Sequence, residues 1–346
     1  MKTTKTALVL GGGGFIGNAM VTRLKLEGYF VRAVDLKYPE FSKSDADEFI
    51  LGDLRYFDTV KSQIFLKSNL SVEINFDEIY QFAADMGGAG FVFTGENDSS
   101  ILHNSAQINL NILKIISDSK ALGQLPKIFY SSSACIYPQE NQTDPNNPNC
   151  EESSAYPANP DSEYGWEKLF SERLYLSYAR NNNFSVAIAR YHNIYGPFGT
   201  WYGGREKAPA ALCRKIAMLP TPGGEIDVWG DGEQTRSFLF IEDCINASRK
   251  LMSSNYSLPI NVGSEEMVSI NSLVKIISNI SMKNVTCKYN LGAPVGVRGR
   301  NSENTLIRKE LSWEPKWSLT DGLKKTFSWI NSQVSEKASN KVTEKV

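Results

Sequence analysis

Tyr164 and Lys168 stand four residues apart in EYGWEK, so a helix carrying them puts a phenol and an ammonium on one face. A cation near a phenol favours the phenolate, which can take a hydroxyl proton while hydride leaves the same carbon. Ser132 and Ser133, at the end of the strand-like run KIFYSSS, are candidate partners for that substrate hydroxyl. Two residues after the last serine comes Cys135, in YSSSACIYP. A thiol at a strand end is either small buried filler or a base whose ordinary pKa of about 8.5 needs only modest lowering.

These groups need a second reactant and a scaffold to hold it. Near the N-terminus, GGGGFIG sets Gly11, Gly14 and Gly17 at G-x-x-G-x-x-G spacing, between the apolar run TALVL and the helical pattern FIGNAMVTRLKL. Glycines there let the backbone approach a pyrophosphate, and the helix N-terminus offers the anion free N–H groups. The next strand-like run, YFVRAVD, ends in Asp35. It follows the last glycine by about twenty residues, where a carboxylate accepts from a ribose 2′-hydroxyl and repels a 2′-phosphate. NAD is therefore the expected cofactor, and nearby Lys37 is the one feature that would suit NADP. Asp53 and Leu54, after a third strand, are expected beside the adenine. Tyr164 and Lys168 are expected to touch the cofactor too, its positive nicotinamide lowering the phenol pKa further.

The rest of the chain builds the frame. Strand-like runs TALVL, YFVRAVD, DEFILGD, FDEIYQFAA, KIFYSSS and FSVAIARY alternate with helical patterns. Such repeated crossovers imply an α/β fold with a Rossmann-type doubly wound parallel sheet. Residues 1–196, rejoined by about 240–265, are expected to form this dinucleotide-binding domain. Residues 197–239 and 266–333 are expected to form a smaller, partly interleaved substrate domain, and 334–346 a polar tail that frays. EIDVWGDGEQTRSF reads as strands around a Gly-Asp-Gly turn. A net charge of −1 over 346 residues provides no basic field for nucleic acid or an acidic membrane, and no apolar run reaches membrane length. Two histidines leave little for a metal site. Five scattered cysteines, an odd number without C-x-x-C, argue for reduced thiols and a cytoplasmic protein.

With these pieces in place, the sequence resembles the extended short-chain dehydrogenase/reductases that act on nucleotide sugars. AADMGG, YSSSACIYP, RYHNIYGPFGTWYGGREKAPAALCRK, WGDGEQTRSFLFIEDC, INVGSEEMVSIN and GVRGRNSEN resemble the branch that epimerises GDP-linked hexoses at C3 and C5; the likeness runs from residue 6 to about 333. The resemblance implies transient oxidation at C4, whose ketone acidifies the hydrogens on C3 and C5, then inversion and re-reduction. Inversion needs a base on one face of the ring and an acid on the other. The resemblance makes Cys135 that base and Lys207 that acid, with Lys207 pushed towards neutrality by Arg205 and a cationic cofactor. It makes Arg300 a clamp on the diphosphate. Gly88, Ser133, Ala134, Asn193, Glu206, Lys215, Gln234, Thr235 and Arg236 become further substrate contacts. A GDP-sugar, GDP-mannose first, becomes the substrate, and a homodimer the assembly. Tyr195, Phe198 and Trp201 are expected to pack rather than to stack on ligand.

Four other readings compete. A nucleotide-sugar 4,6-dehydratase wants an Asp-Glu pair just after the catalytic Ser/Thr, where this chain has Ala134 and Cys135. A 4-epimerase leaves Cys135 and Lys207 without a task. A non-catalytic dinucleotide-binding scaffold has no need to keep the tyrosine, the lysine and the glycines. A different GDP-sugar, such as a GDP-heptose, would use the same residues.

Overall fold

The computed structural model describes residues 4–67, 73–119 and 125–343. Strands β1 (Thr6–Leu10), β2 (Phe30–Asp35), β3 (Glu48–Leu51), the antiparallel pair β4 (Phe65–Lys67) and β5 (Glu73–Asn75), β6 (Glu78–Gln81), β7 (Lys127–Ser133) and β8 (Val186–Tyr191) come first. β9 (Ile194–Tyr195), β10 (Gly223–Trp229), β11 (Thr235–Ser237), β12 (Leu239–Phe240), β13 (Pro259–Val262), β14 (Met267–Ser269), β15 (Asn284–Asn290) and β16 (Gly299–Arg300) follow. The helices are α1 (Phe15–Leu26), α2 (Phe57–Gln63), α3 (Ala89–Val92), α4 (Asp98–Asp118), α5 (Glu163–Asn182), α6 (Ala208–Ala217), α7 (Ile241–Ser253), α8 (Ile270–Ser281), α9 (Thr305–Leu311) and α10 (Leu319–Thr343).

Seven strands make one parallel sheet in the order β13-β8-β7-β6-β1-β2-β3. The order reverses beside β1, which opens a crevice at the carboxyl ends of β1 and β6 where such sheets bind ligands. Every residue of β8, and all of β7 after Lys127, is buried, as expected of strands covered on both faces. Side chains alternate: Ala7 and Val9 join the core under α1 and α7, while Leu8 and Leu10 join the one under α2, α4 and α5. A slip of one residue in β1 would exchange the two sets, so the pattern fixes the register.

The core on the α1 side continues without a break into Leu212 and Ile216 of α6, Leu273 and Ile277 of α8, and Leu323 of α10. Helices α6, α8 and α10 thereby share one core with the α1 side of the sheet. The strands expected around the Gly-Asp-Gly turn are present, and the expected fraying tail is corrected. The strands flanking Gly230-Asp231-Gly232 do not form a hairpin: β10 pairs in parallel with β15, and β11 pairs with β14 and β16. The turn residues are right, but a turn does not fix which partner a strand finds. The polar segment after residue 333 does not fray at once: it is the end of α10, which runs to Thr343.

Candidate active site

Of the three motif glycines, the chain itself demands two. A Cβ on Gly11 would lie 2.6 Å from the Ala83 amide nitrogen, and one on Gly17 would lie 2.0 Å from the Gly11 carbonyl oxygen. Gly14 differs, because its Cβ would meet only the Gly11 oxygen, at 3.3 Å. It caps α1 and faces an open cleft, so its lack of a side chain serves something that comes from outside. Asp35, at the end of β2, accepts the Gly13 N–H at 2.9 Å and so ties the second strand to the loop. The cleft, about 610 Å³, runs past Gly11, Gly14, Gly17, Asp35, Asp53 and Leu54 to Ser133, Tyr164, Lys168 and Lys207. Its acidic residue on β2 and bare loop fit a dinucleotide with a free 2′-hydroxyl. Asp53 is less free than expected, since Arg55 grips both its oxygens at 2.6–3.0 Å and holds the carboxyl below its usual range.

Ser162 caps α5 by accepting the Gly165 N–H at 3.3 Å, which starts the helix just before Tyr164. Tyr164 and Lys168 then share its buried face as the spacing requires. Lys168 Nζ donates to the Ser131 carbonyl at 3.0 Å and lies 5.8 Å from the Tyr164 ring centre. In the protein alone, the Tyr164 pKa is raised rather than lowered. Burial pushes the phenol up, Cys135 adds to that, and the hydrogen bond with Ser133 opposes it. Burial also pulls the Lys168 ammonium down.

Strand alternation separates the two candidate serines. Ser133 faces the cleft. Ser132 also borders it, but its hydroxyl donates to Glu172 at 2.5 Å and Glu172 pairs with Arg190 at 2.9 Å, all buried. Ser132 is therefore structural.

A second cleft of about 280 Å³ adjoins the first, and the two share Met86, Gly87, Ser133, Tyr164, Tyr191 and Lys207. Gly88, Ala134, Cys135, Asn193, Glu206, Lys215, Gln234, Arg236 and Arg300 all border it. Thr235 does not, since its hydroxyl is turned away to the Pro145 carbonyl. Cys135 is the middle residue of a short 3-10 turn, Ala134–Ile136, and its backbone N–H donates to Ser133 Oγ at 3.2 Å. Arg300, on β16, is 5% exposed and borders the cleft with three of its N–H groups engaged: Nε to Gln142 Oε1 at 2.5 Å, Nη1 to Cys135 Sγ at 3.0 Å and Nη2 to Asp161 at 3.1 Å. Arg236 beside it donates only to the carbonyls of Thr235, Val295 and Val297, and burial with Arg300's charge pushes it down to about 10.

Lys207 is the N-cap of α6 and half-buried. Burial lowers its pKa, Arg300 lowers it further and Cys135 opposes them. The neighbouring cation that matters is thus Arg300 and not Arg205. Arg205 turns outward to Asp85 at 3.3 Å and lies 3.9 Å over the Phe91 ring. Gly88 N–H donates to the Arg205 carbonyl at 2.9 Å, fastening the lysine loop to the loop after β6. Glu206 holds the same loop from behind, accepting from Gly204 N–H at 2.7 Å and from Arg214 at 2.8 Å. Asp161, Gln142, Asp85 and Arg214 escaped the sequence reading, because their partners are brought together only by folding. Tyr195 and Trp201 are packed as expected, while Phe198 is half exposed against Trp329.

Fold, glycine loop, Tyr164–Lys168 pair and adjoining clefts define a class: the chain belongs to the NAD dependent epimerase/dehydratase family, whose profile matches residues 7–263. Within it the chain stands with the GDP-mannose 3,5-epimerases. It is 41% identical over 336 residues to GDP-mannose 3,5-epimerase 1 of Oryza sativa subsp. indica, spanning 96% of this chain and 84% of that one. It is also 41% identical to GDP-mannose 3,5-epimerase of Arabidopsis thaliana, over 95% and 82% of the two chains. In fold it is similar to UDP-glucose 4-epimerase of Thermotoga maritima, with a TM-score of 0.80, 24% identity, and coverage of 95% of this chain and 99% of that one.

Proposed function

We propose that this protein is an NAD-dependent 3,5-epimerase of a GDP-sugar, with GDP-mannose as substrate. The observation that carries the reading is the junction of the two clefts. The hydroxyl-handling pair Ser133 and Tyr164 stands where the dinucleotide cleft opens into one bordered by both Cys135 and Lys207. A 4-epimerase needs the first pair alone.

Gly11, Gly14, Gly17, Asp35, Asp53, Leu54 and Lys168 would hold NAD, which when bound exchanges hydride with C4 of the sugar. The chain's own groups move the protons. Ser133 orients the C4 hydroxyl and Tyr164 takes its proton. With a carbonyl at C4, the hydrogens on C3 and C5 become acidic; Cys135 removes one from one face and Lys207 returns one on the other. A lysine whose ammonium is disfavoured by burial and by Arg300 gives up a proton more readily than a free one. Arg300 is assigned to the diphosphate, with Arg236 and Lys215 beside it, since all three border the cleft and no carboxylate is hydrogen-bonded to the latter two. Gly88, Ala134, Asn193, Glu206 and Gln234 shape the sugar and nucleotide walls; the unpartnered Gln234 Oε1 awaits a donor.

We further propose a cytoplasmic homodimer. All five cysteines are free, and among the described residues no helix is long and apolar enough to cross a membrane. Leu110 on α4 and Trp166 and Phe170 on α5 are 38%, 41% and 48% exposed, an apolar load on two packed helices that a second copy would cover. The test of function is incubation with GDP-mannose and other GDP-sugars in heavy water, with NMR of the ring carbons. Deuterium at C3 and C5 of GDP-mannose is expected. Exchange at neither carbon, with C4 inverted, would establish a 4-epimerase instead.

A further inference from the structure

Two loops far apart in sequence border the cofactor cleft. The one after β2 lines it with Leu36 and Lys37, and the one between β9 and α6 lines it with Gly199, Thr200, Arg205 and Lys207. The C-terminal helix α10 joins them. Trp329 sets its ring 5.5 Å from that of Phe41 in the first loop, edge-on at 75°, and 5.5 Å from that of Phe198 in the second. About two turns further along α10, Lys337 lies 3.3 Å over the Tyr202 ring and 4.7 Å over that of Trp201. The loops also hold each other: Tyr202 Oη donates to Glu40 at 2.6 Å, and its ring meets Phe41 edge-on at 6.3 Å. Phe198 is the strained member of the group. It has φ +67°, a left-handed conformation rare for a bulky residue, and it is 51% exposed. Burial does not hold it there, so a neighbour must, and Trp329 is the ring it meets. The same loop rests on the start of α1, where a Cβ on Gly199 would lie 3.4 Å from the Phe15 ring.

Resting on the reading that NAD is reduced and reoxidised within one catalytic cycle, we propose that Trp329 is a positioning residue: by pinning Phe41 and Phe198 it holds both loops on the bound dinucleotide and keeps the cofactor in place between the two hydride steps. Hydride leaves C4 for NAD in the first step and returns from NADH to C4 in the second. A cofactor lost in between would leave the 4-ketone with no hydride to take back, so this cycle gains nothing from cofactor exchange. Trp329 itself lines neither cleft, and its effect passes through the two phenylalanines. Rings suit the task, because aromatic pairs at this spacing attract beyond the area they bury and resist sliding apart.

The experiment loads the protein with NADH, mixes it with excess NAD and follows release by the loss of bound-NADH fluorescence. No sugar or turnover is involved. Trp329→Ala should speed release by about tenfold, the scale of losing two ring pairs. Trp329→Phe keeps an aromatic surface and should stay within about threefold of the wild type. Ile330→Val is the control for general loosening. Ile330 is the next residue of α10 and is 0% exposed in the core, so its urea midpoint should fall while its release rate stays that of the wild type. Wild-type release from Trp329→Ala, or an equal acceleration in Ile330→Val, overturns the proposal. If Trp329→Ala does not fold, Phe41→Ala breaks the stack from the side of the first loop and decides by the same two criteria. Deuterium exchange by the wild type with GDP-mannose is scored separately: its absence would sink the epimerase assignment, whereas normal exchange with unmoved release rates would sink only the role of Trp329.

Discussion

Gly88→Ala tests whether the lysine loop must be docked for proton transfer. Gly88 has φ −77° and ψ −172°, which alanine adopts freely, so the substitution carries no backbone penalty. Its new Cβ, however, would sit 2.3 Å from the Glu206 carbonyl oxygen. Non-bonded contacts under 3.0 Å are essentially never formed by a Cβ, so the Glu206 carbonyl has to retreat by at least about 0.7 Å. Lys207 is the next residue and moves with it. A misplacement near 1 Å costs on the order of 10²-fold in rate, or about 2.7 kcal/mol in barrier. Tyr164, Ser133 and the glycine loop belong to other elements and stay put. The assay pairs single-turnover absorbance, which reads oxidation at C4, with deuterium incorporation at C3 and C5. Oxidation should remain within about threefold of the wild type while inversion falls about a hundredfold. Full inversion in Gly88→Ala would show that the contact between the loops does not place Lys207. An equal loss in both steps would show that the damage is general.

Tyr164→Phe should lower turnover by roughly 10²–10⁴-fold with little change in GDP-sugar affinity, measured by steady-state kinetics and calorimetry; near-normal turnover would remove the phenol from the mechanism. Cys135→Ala should still reduce bound NAD transiently but lose exchange at the carbon it serves, whereas Lys207→Ala should show slow exchange without inversion; wild-type behaviour of Cys135→Ala would make the thiol mere filler. Buried His192 is held neutral, with its pKa pushed down to about 3 by burial, while the unfolded chain titrates near 6.5. Its contribution is therefore complete above about pH 6.5 and is lost as pH falls. Between pH 7 and pH 5 urea unfolding should report about 2 kcal/mol less stability from this group, a decline that His192→Gln should remove; an identical decline in both proteins would contradict it.

What the sequence determined by itself was whatever depends on short-range spacing. Apolar runs between helical patterns made a parallel sheet the natural outcome, because strands buried on both faces and amphipathic helices can hide their surfaces in few other ways. Gly11, Gly14 and Gly17 sit where one strand turns into one helix, and Tyr164 and Lys168 are one turn apart, so their relations are local. Resemblance over longer stretches supplied Cys135 and Lys207, which local spacing could not have joined. The tertiary structure decided the rest. Ser132 and Ser133 are equal candidates in sequence; alternation in β7 and the buried Glu172–Arg190 pair tied up the hydroxyl of one of them. The phenol beside Lys168 is raised rather than lowered, because the cost of burying a charge is set by everything packed around it and not by the nearest lysine. Arg300 met Gln142, Cys135 and Asp161 across separations of 158, 165 and 139 residues. No spacing rule reaches that far: which acceptors a buried guanidinium finds depends on how β16 is laid against β11 and α5, and that is fixed only when the whole core closes.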